Sequence, residues 1–134
     1  MSAMAGSKLY KEKIIDHYKN PRNNREIPDA DYQAKVANSV CGDEVTMYLK
    51  EEGGKITEVG FKGTGCAISL AGASMLTEEI TGKSIEEIEN FDSEYMLNLL
   101  GMEKKSPRIR CAVLGLEAVM RALKDGEDDP CDFC

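Results

Sequence analysis

The spacing of apolar residues changes character along the chain, and each change marks an element. Residues 1–7, Met-Ser-Ala-Met-Ala-Gly-Ser, carry no periodicity and read as a loose leader. Leu9, Ile14 and Tyr18 then suggest one apolar face, predicting a helix over about residues 8–19 with Ser7 as its cap. Asn20-Pro21 ends it, because the residue before proline avoids helical backbone. Residues 21–33 are polar, contain Pro28 and read as a loop.

The period then drops to two. Ala34 to Val40 places Val36 and Val40 at strand spacing, and Val45, Met47 and Leu49 alternate with Thr46, Tyr48 and Lys50. Glu52-Gly53-Gly54-Lys55 is a hairpin turn signal, after which Ile56, Val59 and Phe61 form a third strand. This middle region reads as a small antiparallel meander.

From Cys66 onward the pattern turns helical. Ile68, Leu70, Ala71, Met75, Leu76 and Ile80 fit one helix, stopped by Gly82. Ser84-Ile85-Glu86-Glu87 has the form of a capping box and opens a short helix. Another follows around Ser93–Leu100, ended by Gly101. Ser106-Pro107 reads as a cap followed by proline in the first helical position. The last helix runs to about Lys124, with Ile109, Val113, Leu116, Val119, Met120 and Leu123 as its buried stripe. The methionines at 47, 75, 96, 102 and 120 read as core filler, and Glu86, Glu87 and Glu89 as a solvated face.

Composition narrows the class. One domain's worth of chain, 134 residues, carries a net charge of −7. All of that imbalance lies in residues 67–134, and Asp125, Glu127, Asp128, Asp129 and Asp132 crowd the end. An acidic chain binds phosphate backbones poorly, so nucleic acid is not an expected partner. No run approaches the roughly 20 apolar residues of a membrane helix, and no secretion signal is visible. Five cysteines, an odd number, fit a disulfide framework poorly. The expected setting is cytoplasmic, with the cysteines as thiols, ligands or reactive groups.

Two of the five, Cys131 and Cys134, form a C-x-x-C pair in the acidic tail. Such a half-site cannot complete tetrahedral zinc alone, so a redox-sensitive tail or an accessory metal role is expected of it. Cys41, Cys66 and Cys111 are separated by 25 and 45 residues, too far for a zinc finger or ribbon. Cys41 opens a Cys-Gly-Asp turn between two strands. Cys66 follows Gly65 at a strand-to-helix junction, and Cys111 lies in the first turns of the last helix. Helix N-termini and nearby cations favour a thiolate, which is both nucleophile and ligand. Asp43, two residues beyond Cys41, adds a hard, weaker donor. The residues themselves lead to a three-cysteine, one-aspartate site for zinc, for an iron–sulfur cluster or for sulfur chemistry. His17, the one histidine, has nothing to position it for catalysis and reads as a packing or surface residue.

Four stretches resemble the U-type iron–sulfur cluster scaffold family, which comprises IscU, SufU and the N-terminal domain of NifU. They are Tyr10 through Asn23; Asn38-Ser39-Val40-Cys41-Gly42-Asp43; Gly63-Thr64-Gly65-Cys66-Ala67-Ile68-Ser69, continuing to Ala73-Ser74; and Arg108-Ile109-Arg110-Cys111-Ala112-Val113-Leu114. The resemblance implies an α+β fold, a three-stranded antiparallel sheet covered by helices, in one domain over residues 8–126 with 127–134 as its tail. It implies that Cys41, Asp43, Cys66 and Cys111 meet at one exposed end. It implies sulfur delivered as persulfide by a cysteine desulfurase to Cys41, Cys66 or Cys111, assembly of a [2Fe–2S] cluster, and transfer to apo iron–sulfur acceptor proteins. The opening helix and Tyr10 are then expected to contact the desulfurase or a second copy in a homodimer. Arg108 and Arg110 are expected to dock the desulfurase or screen the thiolates.

The chain also departs from each branch. Where IscU members carry a histidine before the third cysteine, this chain has Arg110, as SufU-type members do. The IscU chaperone signal is replaced by Lys104-Lys105-Ser106-Pro107-Arg108. The long insertion of SufU members between the second and third cysteines is absent. The alternative expectation is therefore a zinc-dependent, SufU-like sulfur acceptor that activates a desulfurase through the same four residues. A zinc-stabilised interaction domain without sulfur chemistry is the third.

Overall fold

The computed structural model describes residues 3–38, 42–105 and 109–124, with residues 3–10 described by their backbone alone. Helix α1 (Ala3–Lys19) precedes strands β1 (Tyr32–Asn38), β2 (Asp43–Glu52) and β3 (Lys55–Thr64). Helices α2 (Ala67–Ile80), α3 (Ile85–Glu89), α4 (Ser93–Leu100) and α5 (Ile109–Lys124) follow. The strands form one antiparallel sheet in the order β1-β2-β3.

Strand alternation builds one apolar face. Ala34 pairs with Met47, which pairs with Phe61, and Val36 pairs with Val45. These residues, with Leu49 and Val59, are at most 2% exposed. Helices α2 and α5 lie on this face and against each other, while α1 packs on α2 and α4 on α5. Each of the large side chains so buried contributes about 1.5–3 kcal/mol of transfer free energy. The β2–β3 hairpin turns at Gly53 (φ 61°) and Gly54 (φ 83°). Two successive positive φ values suit a two-residue turn that matches strand twist, and glycine adopts them without steric cost.

Helix α2 is enclosed on most sides, so its buried polar residues need internal partners. Ser74 Oγ accepts the Arg22 N–H at 2.8 Å and lies 2.8 Å from His17 Nδ1. Thr77 Oγ1 accepts from Asn23 Nδ2 at 2.9 Å and donates to the Ser74 carbonyl. These bonds tie α1 and the loop after it to the centre of the molecule.

Several expected features are present. Ser84 and Glu87 form the capping box reciprocally, and Gly101 (φ 67°) closes α4 in the left-handed conformation. Met47, Met75 and Met96 are buried, Met102 and Met120 are partly so, and Glu86, Glu87 and Glu89 are exposed.

Other features differ. Helix α1 begins at Ala3, so Ser7 lies within it rather than capping it. Its inward residue near the C-terminal end is His17, at 4% exposure, whereas Tyr18 is 46% exposed. The ring can be buried because α2 supplies Ser74, with Glu78 Oε1 3.7 Å from Nε2. β1 covers residues 32–38 rather than 34–40; Val40 and the Ser106-Pro107 cap lie outside the described residues. In α5 burial is continuous from Cys111 to Val119, while Ile109, Met120 and Leu123 are only partly covered. A helix packed against β1, β2, α2 and α4 has no broad solvent face, so a single stripe is too narrow a description.

Candidate metal and sulfur site

One end of the sheet gathers the expected donors. Asp43 is the first residue of β2. The pairing of Glu44 with Thr64 sets Asp43 across from Gly65, just beyond the end of β3. Cys66 is the N-cap residue of α2, with extended backbone (φ −76°, ψ 168°). Cys111 lies in the first turn of α5, which packs beside α2. Two helix N-termini and a strand start thus bring Asp43, Cys66 and Cys111 together, with one donor atom from each within 4.8 Å of the others.

The carboxylate of Asp43 is held on both oxygens. Oδ1 accepts the backbone N–H of Cys66 at 3.2 Å. Oδ2 accepts the Ser69 hydroxyl at 2.7 Å and lies 3.7 Å from the Cys66 sulfur. Gly65, at φ 152°, lies flat against the same group: a Cβ there would stand 2.6 Å from Oδ1. Only glycine permits that approach. Asp43 and Cys111 are 3% and 4% exposed, and Cys66 is half-buried. The expectation of an open, exposed end is therefore corrected: packing of the first turns of α2 and α5 encloses two of the three donors.

Electrostatics separates the two thiols. Burial raises the Cys66 thiol, but hydrogen bonds from the Ser69 backbone and from Cys111 favour its thiolate and bring it below its ordinary value. Burial pushes Cys111 up, and its hydrogen bonds to Cys66 and Asp43 and the negative charge on Cys66 add to this. Two thiolates and a carboxylate packed this closely repel strongly in a poorly solvated site. A cation is what lets all three be deprotonated together. Zinc bonds of about 2.0–2.3 Å place neighbouring donors under about 4 Å apart, so the cluster needs only slight closure around an ion. The donor set fits such an ion.

The remaining expected residues are placed as follows. Cys41, Arg108, Cys131 and Cys134 lie outside the described residues, as does the side chain of Tyr10, whose backbone belongs to α1. Arg110 is exposed in the first turn of α5 and lines a shallow pocket with Ser93, Ile109 and Val113. His17 is on α1, hydrogen-bonded to Ser74 and outside this donor cluster. Sequence reasoning assigned Ser69 no role. Its signal is spacing: three residues beyond an N-cap, a side chain returns to the face of the cap residue.

Similarity to known proteins identifies the family. The family described as NifU-like N terminal domain matches residues 9–130. An iron–sulfur cluster assembly scaffold protein IscU of Archaeoglobus fulgidus is 38% identical, over 87% of this chain and 76% of its own. The zinc-dependent sulfurtransferase SufU of Bacillus subtilis is 34% identical, over 89% and 92%. The crystal structure of a scaffold protein assigned to the SUF system of Fervidobacterium islandicum superimposes with a TM-score of 0.73 at 32% identity, covering 87% of this chain and 98% of that one. The chain belongs to the NifU-like N-terminal domain family, the U-type iron–sulfur cluster assembly scaffolds.

Proposed function

We propose that this protein is an iron–sulfur cluster assembly scaffold that takes sulfur from a cysteine desulfurase, assembles a [2Fe–2S] cluster as its cargo and passes it to apoproteins. The carrying observation is the convergence of Asp43, Cys66 and Cys111 within 4.8 Å at two helix N-termini. In this reading Cys41 supplies the third thiolate. A thiolate of the site attacks the outer sulfur of the desulfurase persulfide; the sulfur–sulfur bond breaks and the desulfurase thiolate leaves. That sulfur must then be reduced to sulfide, so an electron donor acts together with iron. Three thiolates hold the cluster, and one carboxylate, a poorer ligand for iron than sulfur, leaves it transferable. The named IscU relative supports this reading.

A second reading uses the same residues. Three thiolates and Asp43 suit tetrahedral zinc, and Arg110, which is exposed, cannot serve as the histidine ligand of IscU members. The similarity to a zinc-dependent sulfurtransferase supports this alternative. One anaerobic experiment separates the two: the protein is mixed with a cysteine desulfurase, cysteine, ferrous iron and a reductant, and its spectrum and metal content are followed. A visible cluster band that moves to an apo-ferredoxin supports the scaffold. Tightly held zinc, faster desulfurase turnover and no cluster overturn it in favour of the sulfur acceptor.

A further inference from the structure

We infer that Ser69 is a positioning residue for the metal or cluster centre, acting through Asp43. The inference rests on the metal-site reading above and adds a residue to it. Ser69 is fully buried, in the first turn of α2, with its hydroxyl 2.7 Å from Asp43 Oδ2 and 3.5 Å from the Cys66 sulfur. A serine hydroxyl has one proton to give. The shorter contact and the better acceptor both direct it to Asp43.

The Asp43 carboxylate has a donor on each oxygen: Ser69 holds Oδ2, the Cys66 N–H holds Oδ1, and Gly65 closes the adjoining space. The carboxylate is held on both oxygens before the ion arrives and cannot swing freely. Without Ser69, Asp43 keeps one firm anchor, pivots about Oδ1 and must be ordered by the ion itself. Groups that orient a metal ligand in this way commonly carry 10–100-fold in affinity.

The test measures zinc affinity of the full chain by competition with a chromophoric chelator, and the absorption of the cobalt-substituted protein. Ser69→Ala, which preserves helix propensity, is expected to weaken zinc by about 10–100-fold and to alter the cobalt ligand-field bands while leaving the thiolate-to-metal band. Ser69→Thr, which keeps the hydroxyl, is expected to restore much of the affinity. In an Asp43→Ala background, removing Ser69 is expected to change affinity little, because the residue it positions is gone. Equal affinity in the wild type and Ser69→Ala, or the same loss with and without Asp43, overturns the inference alone. A wild type that takes up neither zinc nor cobalt overturns the metal-site reading and this inference with it.

Discussion

Cys66 meets Asp43 twice: its backbone N–H donates to one carboxylate oxygen at 3.2 Å, and its sulfur lies 3.7 Å from the other. The pair joins the N-terminus of α2 to the start of β2. A carboxylate beside soft thiolates is the weak member of the proposed ligand set. Asp43→Ala is therefore expected to slow cluster release to an apo-ferredoxin several-fold while assembly continues. Transfer kinetics followed by circular dichroism check this, and an unchanged rate removes Asp43 from the release step.

Gly65 allows the close approach on which this pair depends. Gly65→Ala would place a Cβ 2.6 Å from Asp43 Oδ1 at a φ of 152°. Crowding of this kind costs about 1–3 kcal/mol. Urea unfolding with chelator present is expected to show that loss, and zinc affinity is expected to fall with it. A variant as stable as the wild type would mean that the carboxylate moves aside cheaply.

His17 makes stability depend on pH. Burial holds its imidazole below the ordinary value of 6.5; the Arg22 and Lys13 cations act in the same direction, while Glu78 and Asp16 oppose them. The folded state therefore binds the proton more weakly than the unfolded chain does. Stability from the neutral ring is present above about pH 6.5. It declines as pH falls through that value toward the folded pKa. His17→Gln is expected to flatten the decline between about pH 5 and 7, measured by urea unfolding with chelator present. A parallel decline in both proteins would assign it to other groups.

Ser74 holds α1 from the other side. Ser74→Ala removes the acceptor for the Arg22 N–H and the partner of His17 Nδ1. Buried polar groups left without partners cost about 1–3 kcal/mol. Thermal unfolding is expected to show this loss, with hydrogen exchange rising first in α1. Unchanged exchange there would mean that apolar contacts alone dock the helix.

The remaining cysteines are expected to divide by role. Cys41→Ser is expected to abolish the tetrahedral cobalt spectrum. The double variant Cys131→Ser, Cys134→Ser is expected to leave it intact. The reverse pattern would bring the acidic tail into the ligand set.

The sequence by itself determined what depends on neighbours along the chain. Period-two alternation marked the strands, Gly53-Gly54 the hairpin, and Ser84 through Glu87 the capping box, because backbone geometry and local hydrogen bonds act over a few residues. It also marked Asp43, Cys66 and Cys111 as special, since each stands beside glycine or at a helix start. Tertiary structure decided the rest. Which side of α1 faces inward depended on α2 offering Ser74 to His17, and no period within α1 records that offer. The thiols diverge because folding buries both, yet sets hydrogen bonds that favour the thiolate at Cys66 and the protonated thiol at Cys111, contacts absent from an extended chain. Ser69 showed a helical offset from Cys66 in the sequence, but its partner comes from a strand 26 positions away. Chain closure put the carboxylate there.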